Sequence, residues 1–116
     1  MTAKEMFENE GYQEVHPFGI FRKTYRRLWD SWYEDEEDLK TAVEETGKLR
    51  FLYIDFSILG SQVHVGLYDV NAKLEGDTVK TELYGDAVDM ARGGIHLTTG
   101  EIMAINRQFD ELGWTC

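Results

Sequence analysis

Residues 48–59 alternate cleanly enough to predict a β-strand. Phe51, Tyr53 and Asp55 fall on one face, and Leu52, Ile54, Phe56 and Ile58 on the other. Gly60, Ser61 and Gln62 supply a turn, after which Val63, Val65, Leu67 and Asp69 alternate again. Residues 71–77, with Gly76-Asp77, read as a loop, and residues 78–84 as the third strand of the meander. Upstream, residues 12–16 read as extended and Pro17-Phe18-Gly19 as a turn. Residues 20–29 then set Phe21, Lys23 and Tyr25 against Arg22, Thr24 and Arg26, which predicts a strand with one basic face. Residues 86–91 read as a short helical turn broken by Gly93-Gly94.

Helix signals surround this meander. Thr2-Ala3-Lys4-Glu5 is a capping box, with Met1 and Met6 placed as a staple and Gly11 ending the helix. Thr98-Thr99-Gly100-Glu101 is another, with Leu97 and Ile102 as the staple. Ile102, Ile105, Phe109 and Leu112 predict an apolar stripe, Gly113 a C-cap, and Trp114 a ring packed back on the last turn. Between these ends, a helix starts either at the box Ser31-Trp32-Tyr33-Glu34 or at Asp35 with Asp38 as its third residue. It carries Leu39, Ala42 and Val43 on one face and closes at Gly47. The expected fold is a single α+β domain over residues 1–116, an antiparallel sheet of four or five strands packed with two or three helices. At 116 residues and 42% apolar composition, the chain can bury one core.

Charge limits the functions open to such a domain. Lys and Arg number 12 against 22 Asp and Glu, a net charge of -10. Direct binding to nucleic acid or to anionic membrane surfaces is disfavoured, because both need cations. Cys116 is the one cysteine, so neither an internal disulfide nor a cysteine metal site is expected. A polar start without a signal peptide and the lack of a long apolar run point to a reducing cytosol. Phosphate-binding loops, nucleophile elbows, zinc-protease motifs and EF-hand loops are absent from the sequence, and it names no cofactor and no metal.

Three histidines, His16, His64 and His96, are far apart. His64 can face Asp55 across the central hairpin, which keeps a small hydrolase or ligand-binding enzyme using His64 or His96 among the readings, although the expectation is that the protein is not an enzyme.

The distribution of charge is more informative. Residues 22–27 hold four basic groups, Arg22, Lys23, Arg26 and Arg27. Residues 28–46 hold eight acids against Lys40: Asp30, Glu34, Asp35, Glu36, Glu37, Asp38, Glu44 and Glu45. Trp32 and Tyr33 border the run, as aromatic anchors border a polar rim in an interface. These ten residues, Trp32 and Tyr33 with the eight acids, are the candidate partner-binding set. A solvated helix start explains acids in a first turn equally simply, since the helix dipole favours negative charge there. The basic group can pair with acids across the sheet.

Two resemblances follow from these residues. Thr2, Ala3, Lys4, Glu5, Met6, Phe7, Gly11 and Tyr12, together with Glu101, Ala104, Ile105, Asn106, Gln108, Glu111, Leu112, Gly113 and Trp114, resemble the ends of small proteins carried by phages and prophages of Firmicutes. That implies a mobile-element origin. Trp32-Tyr33-Glu34-Asp35-Glu36-Glu37 is similar to an acidic helical segment of a phage-borne anti-CRISPR protein that inhibits type II-A Cas9. This resemblance implies a small non-enzymatic inhibitor, a DNA mimic whose partner is a basic nucleic-acid-binding protein such as Cas9. An immunity protein or antitoxin that neutralises a nuclease toxin fits the same length and acidity, as does a phage accessory protein whose acids keep it soluble.

Overall fold

The first five strands of this chain each pair with the next one in sequence. The computed structural model describes residues 1–17, 19–29, 35–88 and 94–114, with backbone alone at residue 20. The elements run α1 (Ala3–Asn9), β1 (Gln13–Val15), a 3₁₀ turn (Gly19–Phe21), β2 (Arg22–Leu28), α2 (Glu36–Thr46), β3 (Lys48–Ser57), β4 (Gln62–Glu75), β5 (Thr78–Thr81), β6 (Asp86–Ala87) and α3 (Thr99–Leu112). The sheet order is β1-β2-β3-β4-β5, each pair antiparallel, and β6 adds to β4 through Tyr68↔Ala87 and Asp69↔Asp86. The protein has the α+β architecture that its alternation and capping signals predict.

The period-two pattern of β3 gives the sheet two apolar faces. Leu52, Ile54 and Phe56 share one with Tyr25 and Leu67, covered by Phe7 of α1 and by Ala104 and Ile105 of α3. The Phe7 ring stacks on Tyr25 at 4.1 Å. Leu52, Ile54 and Phe56 are fully buried, and each contributes about 1.5–3 kcal/mol by leaving water. Leu49, Phe51, Tyr53, Tyr68 and Val70 form the opposite face, with Val15 and with Val43 of α2. A slip of one residue in β3 would exchange these two sets, so burial on both sides fixes the register.

Helix α2 covers only part of its face. Gly47 ends it in the left-handed region at φ 69° and leads directly into β3, and the Gly47 carbonyl accepts from Ala72 N–H at 2.8 Å. The helix therefore lies over the end of the sheet where β3 begins. Among the described residues, no helix lies above the end where β3 finishes and β4 starts, at Asp55, Ser57, Gln62 and His64.

Several local expectations are corrected. Residues 71–77 are not a loop: β4 continues to Glu75, and only Gly76-Asp77 turn the chain into β5. Ala72 and Leu74 continue the apolar parity of Tyr68 and Val70 and pack on the second face beside Val79. The strand expected over residues 20–29 begins at Arg22, after the 3₁₀ turn, and the one expected over residues 78–84 stops at Thr81. Asp86 and Ala87 are extended rather than helical, because they bond to β4; residues 89–91 lie outside the described residues. Ile102 is 48% exposed, since α3 turns Glu101, Ala104, Ile105 and Gln108 inward. Of the expected staple pairs, Met6 and Leu97 pack against the core while Met1 and Ile102 stay exposed. Trp114 does pack back, stacked on Phe109 at 5.5 Å. No helix among the described residues is long and apolar enough to cross a membrane.

Candidate functional site

Two regions carry chemistry: the acidic face of α2 and the uncovered end of the sheet. In the first, Asp35 is the N-cap, its Oδ1 accepting from the Asp38 N–H at 2.9 Å. Glu36, Glu37 and Asp38 form the first turn, and they are exposed, as are Glu44 and Glu45 near the other end. At 100° per residue Leu39, Ala42 and Val43 point to the sheet, which places Glu37, Asp38, Glu44 and Glu45 on one outward arc. These four carboxylates span about 12 Å of helix axis, or one per ~3 Å. Duplex DNA carries one phosphate per about 1.7 Å. One face of the helix thus has about half the density that the continuous run suggests. Asp30, Trp32, Tyr33 and Glu34 lie outside the described residues.

The basic group at residues 22–27 does not offset this face. Arg22 Nη1 meets Asp55 Oδ2 at 3.2 Å, Lys23 Nζ lies 4.0 Å from Glu14, and Arg27 Nε meets Glu101 Oε2 at 3.2 Å. Arg26 is 4% exposed and donates to Gln13, Tyr53, the Glu82 carbonyl and Thr81, with its guanidinium 4.2 Å from the Phe51 ring centre. Lys40, the basic residue on α2, lies 3.9 Å from Asp77. The four cations of β2 are thereby engaged with neighbouring side chains, while Glu37, Glu44 and Glu45 are exposed.

The second region is a cavity of about 510 Å³ on the uncovered end of the second face, lined by residues of β2, β3 and β4 and by Tyr84. Its floor follows from strand register: Thr24 opposes Asp55, and Asp55 opposes His64. Asp55 is 8% exposed, and its Oδ1 accepts from the Thr24 hydroxyl at 2.7 Å. His64 Nε2 lies 2.9 Å from the Tyr68 hydroxyl. Gly66 sits between them on β4, where an added Cβ would lie 3.1 Å from both His64 Nε2 and Tyr68 Cε2, so the absence of a side chain makes room for this pair. Tyr84 arrives from beyond β5, because Arg26 and Tyr53 hold the Glu82 and Leu83 carbonyls at 2.7 and 2.6 Å. Its ring centre lies 5.5 Å from Tyr53 and 4.7 Å from Tyr68. Burial first, and the bond with Tyr68 second, push the Tyr84 phenol above its ordinary range, so it stays protonated near neutrality.

Sequence reasoning placed His64 opposite Asp55, and the register does so. It did not foresee that both would turn to other partners, Asp55 to Arg22 and Thr24, and His64 to Tyr68. Ser57 lines the same cavity. A serine hydrolase needs an imidazole bonded to the nucleophile and held by the carboxylate, whereas here the described residues align no base on Ser57. His96 is exposed in the loop before α3, and the His16 side chain is 63% exposed. Among the described residues, no group of three or more His, Cys, Asp or Glu is placed to hold a metal ion. Tyr68 and Tyr84 were missed. Tyr68 shares the parity of Gly66 and His64 on one strand, a signal present in the sequence; Tyr84 enters through a contact far along the chain, which leaves none.

The class defined by fold and sites is an acidic single-domain α+β protein with a carboxylate-bearing helix face and a polar, aromatic cavity. No protein-family model, curated protein or solved structure matches the chain. The residues behind the resemblance to phage-borne proteins include Ala3, Phe7, Tyr12, Glu101, Ala104, Ile105 and Gln108, all of them buried. They specify how α1 and α3 pack on the sheet, not an activity.

Proposed function

We propose that the protein is a non-enzymatic inhibitor that docks the outward face of α2 on a basic nucleic-acid groove of a partner protein, in the manner of a DNA mimic. The observation that carries this reading is the segregation of charge: the cations of β2 are engaged with neighbouring side chains, and Glu37, Glu44 and Glu45 are exposed. Carboxylates so displayed can form charge-assisted hydrogen bonds with Arg and Lys that otherwise hold phosphates. The net charge of -10 would also steer a basic partner toward this protein. A Cas9-type effector is the specific partner suggested by the acidic segment beginning at Trp32.

The test is competition. Purified type II-A Cas9 with its guide RNA is titrated with this protein, and binding of target duplex is followed at low and high salt. Inhibition that weakens steeply as salt rises supports the reading. The variant Glu37→Lys/Glu44→Lys/Glu45→Lys should lose at least about tenfold in potency, because each reversal replaces attraction by repulsion. Equal inhibition by that variant, or none by the wild type at low salt, would overturn it.

A further inference from the structure

We propose that the end of the β3–β4 hairpin is a self-association surface whose occupant is a second copy of this chain. Phe21, Ile58, Leu59 and Val63 are large apolar side chains that stand exposed, Leu59 at 78% and Phe21 at 56%. The fold brings these four to one place. The Ile58 N–H donates to the Phe21 carbonyl at 3.0 Å, Leu59 lies in the turn itself, and Val63 opposes Phe56 across the hairpin. Phe56 is buried, with the Phe109 and Trp114 ring centres 5.9 and 6.2 Å away. Cross-strand partners share a face, so Val63 prolongs the apolar face of Leu52, Ile54 and Phe56 past the residues that cover it. Single apolar residues on a surface are ordinary, whereas a group of them marks a contact site.

Charge selects the occupant. Residues 56–68 contain no Asp, Glu, Lys or Arg, the longest such stretch in a chain that is 29% charged. The nearest cations in the register, Arg22 opposite Ser57 and Lys23 opposite Phe56, each stand beside a carboxylate, Asp55 and Glu14. The hairpin end therefore offers little to a partner recognised through charge, whereas an uncharged apolar patch complements itself, as a two-fold interface requires. A net charge of -10 opposes self-association in general, and at the hairpin end that opposition is weakest. Glu44 and Glu45 stand next to where β3 begins, and the ten residues of β3 span about 30 Å from there to the hairpin. That is several times the screening length of about 8 Å at about 0.15 M salt. Two copies joined hairpin to hairpin leave Glu44 and Glu45 of each far from the contact, so this surface is independent of the docking reading. Four side chains cover less than the roughly 800 Å² per partner of a standard interface, so the dimer is weak, with a dissociation constant of about 100 µM.

Sedimentation equilibrium of the whole chain from about 10 µM to about 1 mM tests this. The mass should rise from monomer to dimer and stop there. The dimer should tighten as salt increases from about 0.01 M to about 0.15 M, because screening removes repulsion. Docking on a basic groove weakens over the same range, so the two readings fail separately. Leu59→Asp brings a carboxylate into the contact twice and should weaken the dimer at least about tenfold. Val63→Thr keeps the shape that suits a strand and should weaken it several-fold. Met103→Asp, at an exposed apolar position on α3, should leave it unchanged. A monomer at about 1 mM, growth beyond the dimer, an undiminished dimer in both hairpin variants, or loss of the dimer in Met103→Asp would overturn the proposal. So would a monomer that binds phosphatidylcholine vesicles through Leu59, which would make a neutral lipid surface the occupant.

Discussion

Glu101 shows how much one side chain can hold together. Its Oε1 accepts from the Thr98 N–H at 2.9 Å, while Oε2 accepts from Arg27 Nε at 3.2 Å and from the Tyr12 hydroxyl. One carboxylate thus closes the capping box of α3 and ties that helix to β2 and to the segment after α1. Burial alone would raise its pKa; the bonds from Thr98, Tyr12 and Arg27 outweigh burial and hold the carboxyl below its ordinary value. A lowered folded-state value stabilises the protein above the unfolded pKa, and that stability is lost as pH falls through the folded value. Glu101→Gln should therefore cost about 3 kcal/mol in urea denaturation at neutral pH. The gap to wild type should narrow as pH falls below the ordinary carboxylate range, where the wild-type carboxyl takes up its proton. A gap that stays constant with pH would contradict this account. The phenols shift in the opposite sense: burial raises Tyr12, Tyr25 and Tyr84. Their contribution is intact below the unfolded value of about 10 and is lost as pH rises beyond it, so urea stability should decline on the alkaline side.

Element by element, what the sequence made readable was local. The capping boxes at Thr2 and Thr98 are present with both reciprocal bonds, because those bonds close within four consecutive residues. Helix α2 allows this grammar to be tested. Gly47 is left-handed, and a Cβ added there meets nothing within 4 Å, so Gly47→Ala isolates the backbone term. It should cost about 1 kcal/mol, or roughly 4 °C in Tm. Asp35→Ala should cost about 1 kcal/mol, whereas Asp35→Asn should leave stability nearly unchanged, since Asn caps as well as Asp. Thermal melts of the three variants check both statements. A loss with Asn as large as with Ala would mean that Asp35 acts through its charge rather than as a cap. The missed elements depend on distant contacts. The strand parity of Ala72 and Leu74 was hidden by Asn71, Lys73, Glu75 and the Gly76-Asp77 turn. Extension at Asp86 and Ala87 requires β4 as a template, and the outward Ile102 reflects the satisfied burial of polar Glu101 and Gln108. Gln108 is 1% exposed and accepts from the Tyr25 hydroxyl at 2.7 Å, which no hydrophobic pattern anticipates.

At the scale of the whole molecule, the division of charge has an effect of its own. The Cα envelope measures 46 × 30 × 29 Å. At about 0.01 M salt the screening length is about 30 Å, so charges across the protein interact; at about 0.15 M it is about 8 Å, and only neighbours do. The ion pairs within the sheet are close enough to survive this change, whereas the mutual repulsion of the α2 acids and the other surface carboxylates is longer in range. Raising salt between these values should therefore stabilise the fold, with Tm increasing by about 3 °C. In Glu44→Lys/Glu45→Lys each reversal shifts the charge by two units, taking it from -10 to -6, so the salt-dependent gain should shrink. Lysines in the last turn of α2 also suit the negative end of the helix dipole, so this variant should melt no lower than the wild type at low salt. Binding to a basic groove responds to salt in the opposite direction, because it draws on the same carboxylates as attraction rather than repulsion. Paired measurements, Tm and partner affinity across one salt series, should give slopes of opposite sign that both flatten in the double variant. A Tm that falls with salt would mean that surface ion pairs, not repulsion among the acids, dominate the electrostatics of this fold.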